Sequence, residues 1–222
     1  MQARDRLIVA IDRSERDDIL RLAEALGGVA GFLKIGLQAF IANGPSIVRE
    51  LGTRVFLDLK IHDIPNTAQH AAREAAALGA AMVTVHASGG AAMLQACSSA
   101  NTLVLGVTIL TSLDDDELKR IGFAAPPLAS AVRLATLAKE SGLRGVVASP
   151  HEIGAIREAC GDVVIVVPGI RPAGSDAGDQ RRTMTPAAAV AAGADFIVVG
   201  RPITEAKRPR DAALAIVDSL PA

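Results

Sequence analysis

Short runs of apolar residues recur along the chain, and stretches with helical spacing of apolar positions, such as residues 17–26 and 68–78, lie between them. Runs that are apolar on both faces and alternate with helices are typical of buried strands in a parallel sheet. The predicted strands are residues 7–11, 32–35, 55–59, 82–86, 103–110, 145–148, 163–167 and 196–199.

Turn residues mark both ends of several predicted helices. Ser149-Pro150 and Thr185-Pro186 have the residue types of an N-cap followed by a first-turn proline. Glycine fits the left-handed backbone position that closes a helix. Glycines in this position, each shortly before a strand, are Gly52, Gly79, Gly142 and Gly193.

The number of strand–helix units predicts the fold class. Eight units within 222 residues fit an α/β fold of the (β/α)8 TIM barrel type, with an open doubly wound sheet as the alternative. No linker or low-complexity tract interrupts the chain, so we expect a single barrel domain over residues 1–222. Active sites of such barrels lie at the carboxyl ends of the strands. Polar residues at those ends should therefore be considered together.

Composition and charge restrict the class of partner. The net charge is −1 and aromatic residues make up 2%, without Trp or Tyr. A basic surface and stacking platforms are therefore missing, and we expect a small-molecule substrate and no nucleic acid. The two cysteines, Cys97 and Cys160, form no C-x-x-C pair, which is typical of a reducing compartment. With no signal-peptide pattern and no apolar run near the roughly 18 residues of a membrane span, we expect a cytoplasmic protein.

The third predicted strand carries the strongest concentration of charge. Residues two apart in a strand share a face, so Asp58 and Lys60 should point the same way. Asp63 follows just beyond the strand end. Charged side chains in so apolar a strand are costly unless they are paired. Taken alone, this pattern also fits a structural ion pair at a sheet edge.

Other strand ends add polar candidates, each with a simpler explanation. Asp12 follows the first strand and fits a helix N-cap as well. Lys34, in the second strand, fits a side chain that extends from a sheet edge to solvent. Thr111 follows the fifth strand, and either Thr111 or Ser112 fits a cap of the helix that begins near Asp114. Their common position at one end of one barrel favours a shared site.

The last two strand ends predict a phosphate site. The loop of residues 168–184 is long and contains Arg171 and Gln180, and Gly200-Arg201 follows the eighth strand. Long loops are usually lids or binding loops, or else disordered. The loops after strands 7 and 8 often hold phosphate in such barrels. A backbone N–H at Gly200 and the Arg201 guanidinium would supply oriented donors.

The segment Asp58-Leu59-Lys60-Ile61-His62-Asp63-Ile64-Pro65-Asn66-Thr67 resembles the motif of the orotidine 5′-monophosphate decarboxylases. The resemblance extends over essentially the whole chain. It implies decarboxylation in the last step of de novo UMP synthesis, without metal or other cofactor. It also implies a homodimer in which Asp63 and Thr67 reach the partner's site.

The resemblance further implies a role for each candidate. Lys60 would be the proton donor, between Asp58 and Asp63, whose charges favour its cationic form. Asp12 and Lys34 would hold ribose hydroxyls and flank the charged array, Thr111 would bond the pyrimidine ring, and Ile64 would contact substrate. The phosphate end would be bound by Arg171, Gln180, Gly200 and Arg201.

Two rival functions remain open. Sugar-phosphate decarboxylases and hexulose-phosphate synthases share a similar D-x-K-x-x-D strand and use Mg²⁺. The continuation Ile64-Pro65-Asn66-Thr67 and the Gln180 loop favour the orotidine enzymes. The second rival is a catalytically silent barrel that only binds a nucleotide, which would be expected to lose Lys60 or an aspartate partner. The four histidines lack metal-ligand spacing, and we expect no metal site.

Overall fold

The structure, a computed structural model that describes residues 1–172 and 183–221, contains a closed parallel barrel. Each strand pairs with the next in sequence, and the eighth pairs with the first. The prediction of a (β/α)8 barrel is confirmed, and the open-sheet alternative is wrong. The strands are β1 (Leu7–Ala10), β2 (Phe32–Gly36), β3 (Val55–Ile61), β4 (Met82–His86), β5 (Leu103–Val107), β6 (Gly145–Val147), β7 (Val164–Val167) and β8 (Phe196–Val199).

Most strand bounds agree with the sequence prediction to within one residue, and β5 departs furthest. It ends at Val107 rather than at residue 110. The apolar residues beyond it do not extend the sheet, because Ile109 packs with Leu118 and Ala131 in a separate small cluster. The same segment then forms a turn at residues 111–112.

Helices follow the strands around the barrel. The two predicted at residues 17–26 and 68–78 are observed with slightly shifted bounds. The helices are α1 (Arg16–Ala25), α2 (Leu37–Asn43), α3 (Ser46–Leu51), α4 (Pro65–Ala77), α5 (Ala91–Ser98), α6 (Asp115–Arg120), α7 (Pro127–Glu140), α8 (Ile153–Cys160), α9 (Pro186–Ala191), α10 (Arg201–Thr204) and α11 (Pro209–Asp218). None of these described helices combines the length and apolar character that a membrane span requires.

The turn chemistry predicted from sequence is largely observed. The four predicted helix-closing glycines all have positive φ, from 76° at Gly52 to 108° at Gly193. The Thr185 Oγ1 accepts a hydrogen bond from the Ala188 N–H at the start of α9. At the start of α6, however, the cap is Asp114, whose Oδ1 accepts from the Glu117 N–H at 3.0 Å. Thr111 is therefore not the cap of that helix.

The apolar side chains form two layers, because alternate strand residues point to opposite faces. One layer fills the barrel interior and includes Ile8, Phe56, Met82 and Leu105. The larger layer lies between the strands and the surrounding helices. Polar residues at the carboxyl ends of the strands therefore lie next to an apolar barrel interior.

An arginine joins main-chain groups on the opposite, amino-terminal side of the barrel. The Arg157 guanidinium donates to the carbonyls of Gly161, Val163 and Gly193, at 2.6–2.8 Å, and to Asp195 Oδ2 at 2.9 Å. The same Asp195 oxygen accepts from the Ile165 N–H in β7. We call Arg157 and Asp195 the amino-terminal ion pair, since they connect the starts of β7 and β8.

Candidate active site

A cavity of about 410 Å³ opens at the carboxyl ends of the strands. It lies where the barrel fold leads one to expect an active site. Candidates from six separate strand ends meet there, although they are far apart in sequence. The predicted site residues that line it are Asp12, Lys34, Asp58, Lys60, Thr111, Arg171, Gly200 and Arg201.

Four of these side chains form a row of alternating charge, which we call the charged row. The Lys34 Nζ lies 3.3 Å from Asp12 Oδ1 and 3.5 Å from Asp58 Oδ2. The Lys60 Nζ donates to Asp58 Oδ1 at 2.9 Å. The side chains of Lys34 and Asp58 are each 13% exposed, so water screens their attraction only weakly.

Glycine at position 36 makes room for the charged row. Gly36 ends β2 and pairs with Asp58 across the β2–β3 ladder. A Cβ at this position would lie 3.0 Å from both Asp12 Oδ1 and Lys34 Nζ. Any larger residue would therefore have to push the two side chains from their places.

The backbone of β3 is distorted where the row ends. Lys60 has φ of +52° and is the single non-glycine residue with positive φ among residues 1–172 and 183–221. The β3–β4 pairing shifts register between Leu57 and Ile61. Lys60 and Asp58 do meet, as predicted, but through this bulge rather than through the regular alternation of a strand. Left-handed backbone at a residue with a side chain is strained and is often found at functional sites.

Asp58 is held in its charged form. Burial alone would raise the pKa of this carboxyl, but Lys34, Lys60 and the hydrogen bonds from Lys60 and Thr84 outweigh burial and lower the pKa below its usual value. An ionised carboxylate at this buried position depends on both lysines, because an unpaired buried charge is costly.

Three predicted residues do not reach the cavity of their own chain. Asp63, Ile64 and Thr67 are exposed, and none of them lines the cavity. The Asp63 Oδ1 accepts from the Ile64 N–H at 2.7 Å, and no described cation lies within ion-pair distance of Asp63. Gln180 lies outside the described residues.

The cavity also has an apolar side, which sequence reasoning did not identify. Phe56 and Val198 line it from the barrel interior, Val107 and Val147 line it from β5 and β6, and Ile109 lines it from the segment after β5. The alternation of inward- and outward-facing residues along these strands can be read from the sequence, but it indicates only which side chains face the barrel interior. The site therefore has charges on the β1–β3 side and apolar side chains on the β5–β6 side.

The end of the cavity formed after β7 and β8 is cationic. Arg171 lies there with its main-chain N–H bonded to the Met184 carbonyl at 3.0 Å, and Gly200 and Arg201 lie beside it. Arg13, which sequence analysis missed, also lines the cavity and donates to the Thr204 carbonyl at 3.3 Å. Guanidinium groups are suited to binding phosphate.

Two histidines lie close to the charged row. The rings of His62 and His86 have centroids 5.4 Å apart. Burial lowers the pKa of His86, and the nearby His62 and Lys60 act in the same direction. Within the described ranges, no group of three or more His, Cys, Asp or Glu side chains is arranged to hold a metal ion.

This arrangement can perform specific chemistry on an anionic ligand. A lysine ammonium at the cavity wall can stabilise negative charge that develops on a neighbouring atom and can then donate its proton to it. A fixed carboxylate between two ammonium groups repels a ligand carboxylate placed beside it. Cationic groups at the far end can hold a phosphate.

Comparisons with known proteins agree over nearly the whole chain. The sequence model of the orotidine 5′-phosphate decarboxylase / HUMPS family matches residues 5–216. The orotidine 5′-phosphate decarboxylase of Anaeromyxobacter sp. (strain K) is 51% identical over 227 residues, covering 99% of this chain and all of the relative. That of Moorella thermoacetica is 50% identical over 232 residues, covering 97% of this chain and 92% of the relative.

A solved structure with similar sequence has the same fold. The crystal structure of orotidine 5′-phosphate decarboxylase from Lactobacillus acidophilus superposes with a TM-score of 0.87 at 35% identity. The match covers 97% of this chain and 99% of that one.

Proposed function

Since this chain belongs to the orotidine 5′-phosphate decarboxylase / HUMPS family, we propose that it decarboxylates orotidine 5′-monophosphate to uridine 5′-monophosphate, the last step of de novo UMP synthesis. The observation that carries the proposal is the charged row of Asp12, Lys34, Asp58 and Lys60, which opens onto the cavity. We propose further that the reaction needs neither a metal nor an organic cofactor, because the row itself supplies the charge and the proton.

Lys60 is the proposed proton donor. When the bond between C6 and the substrate carboxylate breaks, CO2 leaves and the electron pair stays on C6 as a vinyl carbanion with little resonance stabilisation. The Lys60 ammonium stabilises this pair and transfers one proton to C6, which gives the product, and the neutral amine then regains a proton from water. Lys60 suits this role because its Nζ lies at the cavity wall and is held by Asp58 at 2.9 Å.

Asp58 and Lys34 are proposed to set the electrostatics of the bond-breaking step. The Asp58 carboxylate would lie near the substrate carboxylate, and the repulsion between them would be relieved as neutral CO2 departs. The lowered pKa of Asp58 keeps this charge in place. The Lys34 ammonium and the Asp12 carboxylate are proposed to hold ribose hydroxyls. Thr111 is proposed to form a hydrogen bond with the pyrimidine ring from the β5 side of the cavity.

The phosphate is proposed to bind at the cationic end of the cavity. Arg171, Gly200 and Arg201 lie there, and Gln180 is proposed to join them from the loop after β7. Binding energy from this remote group can be used to stabilise the transition state at C6.

A homodimer is proposed on two observations. Asp63 and Thr67 are exposed at the rim and do not line their own cavity. Large apolar side chains are also exposed after the neighbouring strands β2 and β3: Leu37 at 49%, Ile41 at 78% and Ile64 at 67%. Large apolar side chains exposed to this degree are suited to burial by a second copy. Asp63 and Thr67 would then complete the partner's site, and Ile64 would contact substrate there.

We also propose that residues 1–222 act as a single barrel domain, since the pairing of β1 with β8 joins the two ends of the fold. The cytoplasmic location stays a prediction.

The decisive experiment follows orotidine 5′-monophosphate absorbance with purified protein after EDTA treatment. Undiminished turnover is expected. Activity that EDTA removes and Mg²⁺ restores would favour the sugar-phosphate branch of the family instead. Binding of the nucleotide without any turnover would indicate a catalytically silent barrel.

A further inference from the structure

A residue that does not line the cavity contacts the charged row from the barrel interior. Thr84 lies in β4, on the barrel interior, and is completely buried. It is absent from the cavity lining. Its position in the sequence, within Met82-Val83-Thr84-Val85-His86, is that of an ordinary β-branched strand residue.

The Thr84 hydroxyl connects two parts of the proposed catalytic machinery. Its Oγ1 donates to Asp58 Oδ1 at 2.9 Å and accepts from the Lys60 N–H at 2.9 Å. The directions follow from the chemistry, because an ionised carboxylate only accepts and a main-chain N–H only donates. The single hydroxyl proton is therefore donated to Asp58, and a lone pair of the hydroxyl oxygen accepts the hydrogen bond from the Lys60 N–H.

The bond to Lys60 coincides with the backbone distortion of β3. In a regular parallel ladder the Lys60 N–H would donate to a main-chain carbonyl of the neighbouring strand. Here the register shifts between Leu57 and Ile61, and the N–H is turned to the threonine side chain instead. The hydroxyl thus satisfies a donor that the bulge removes from the ladder, at the residue with φ of +52°.

The bond to Asp58 fixes the orientation of the carboxylate plane between the two lysines. Oδ1 accepts from both Thr84 and Lys60, whereas Oδ2 faces the Lys34 Nζ at 3.5 Å. Rotation of the carboxylate would break the Thr84 bond. The hydrogen bond from Thr84 is also one of the interactions that lower the pKa of Asp58.

We propose that Thr84 is a positioning residue, which holds the Asp58 carboxylate and the Lys60 backbone in the geometry that the decarboxylation requires. It acts through these two residues and does not touch the substrate. This inference rests on the proposed function for its kinetic consequence, but its structural consequence can be measured without turnover.

Thr84→Val tests the proposal, because valine has nearly the same shape and lacks the hydroxyl. Removing a hydrogen bond to a charged group should lower kcat by about 10- to 100-fold. KM should change by less than about threefold, since no substrate contact is removed. Thr84→Ser keeps the hydroxyl and should retain most of kcat.

Thr108→Val provides the matched control. Thr108 is also a buried threonine near the end of a strand, at 3% exposure, but its Oγ1 donates to the Val147 carbonyl and to no charged group. Its replacement measures the general cost of losing a buried threonine hydroxyl.

A second measurement is independent of activity. Carboxyl ¹³C NMR titration, with the Asp58 signal assigned through Asp58→Asn, should show a higher pKa of Asp58 in Thr84→Val than in the wild type, in Thr84→Ser or in Thr108→Val. If Thr84→Val fails to fold, Thr84→Ala replaces it in the comparison with Thr84→Ser. An unchanged kcat and an unchanged Asp58 pKa, with a lower melting temperature only, would overturn the proposal. If the wild type does not turn over orotidine 5′-monophosphate, the proposed function fails, and the titration still decides whether Thr84 holds Asp58.

Discussion

Gly36 stands directly opposite Asp58 in the β2–β3 pairing, and the space that a side chain would take up at position 36 is bordered by two members of the charged row. A methyl group at position 36 would lie 3.0 Å from Asp12 Oδ1 and from Lys34 Nζ. Both atoms are the ends of flexible side chains, so the fold can tolerate the methyl group more easily than the site can.

Gly36→Ala should therefore impair activity more than stability. Displacement of the Lys34 ammonium by a fraction of an ångström should reduce kcat/KM by about 10-fold or more, since catalysis is sensitive to such shifts. The melting temperature should change little. Steady-state kinetics and thermal unfolding on the same sample measure the two effects. Wild-type kcat/KM in this variant would contradict the assigned role of the row.

Gly154→Ala is the matched control for that substitution. Gly154 is an exposed residue of α8, and nothing lies within 4 Å of a Cβ built there. Alanine should stabilise the protein by about 0.5–1 kcal/mol through its lower unfolded-state entropy, and activity should not change.

Replacing Lys60 separates its chemistry from its backbone strain. Both Lys60→Ala and Lys60→Gly should abolish turnover, because Lys60 is the proposed proton donor and Lys34, the other ammonium of the charged row, is proposed to hold the ribose. Glycine accepts φ of +52° without steric cost, so the glycine variant should be more stable than the alanine variant by about 0.5–1 kcal/mol. Denaturant unfolding compares the two variants directly.

Lys139 provides the reversed case for comparison. It lies in the last turn of α7, where glycine should be less stable than alanine by about 1 kcal/mol. If the alanine variant is more stable than the glycine variant at both positions 60 and 139, the inference that the Lys60 backbone is strained is wrong. Near-normal turnover of Lys60→Ala would contradict the proposed mechanism.

The pKa of Asp58 predicts a dependence of stability on pH. Its pKa is lower in the folded protein than in the unfolded chain, so the unfolded state binds the proton more readily. The stabilisation is complete above the unfolded value of about 3.9 and is lost as the pH falls through the folded value. The difference in unfolding free energy between the wild type and Asp58→Asn should thus be constant near neutral pH and decrease below about pH 4. A difference that stays constant to the lowest accessible pH would show that Asp58 is not held ionised.

Arg201→Ala should weaken binding at the phosphate end. Loss of a charge-assisted donor corresponds to about 1.5–3 kcal/mol, or roughly 10- to 150-fold in affinity. The measurement compares kcat/KM for the nucleotide and for the corresponding nucleoside, which lacks the phosphate and should be nearly unaffected. Equal losses for both substrates would mean that Arg201 supports the fold rather than the phosphate.

Mixed dimers test whether Asp63 serves the partner's site. Lys60→Ala keeps a functional Asp63, and Asp63→Asn keeps a functional Lys60. If the site is shared, a dimer with one copy of each has one site with both residues intact and one that lacks both. Refolding equal amounts together should yield about half mixed dimers and hence about a quarter of wild-type activity under two-fold symmetry. A mixture no more active than its parents, with exchange verified, would place Asp63 in its own subunit's site.

The sequence predicted which residues come together better than it predicted how they do so. The eight strands, the helix-closing glycines and the residues at the strand ends depend on local patterns, and the barrel then brings the strand ends together. At the bulge, the Lys60 N–H donates instead to Thr84, a residue of the next strand that has no distinctive local pattern. The early end of β5 depends on packing of Ile109 against α6 and α7, which apolar character alone does not reveal.

The amino-terminal ion pair, Arg157 and Asp195, lies on the side of the barrel opposite to the cavity. Its bonds secure the starts of β7 and β8, whereas the reaction is proposed to occur where the strands finish. Mutations there should change how much heat or denaturant the protein withstands while leaving its catalytic rate intact. The stability of the fold can therefore be altered at the amino-terminal end of the barrel without a change in the groups that are proposed to carry out the reaction at the other end.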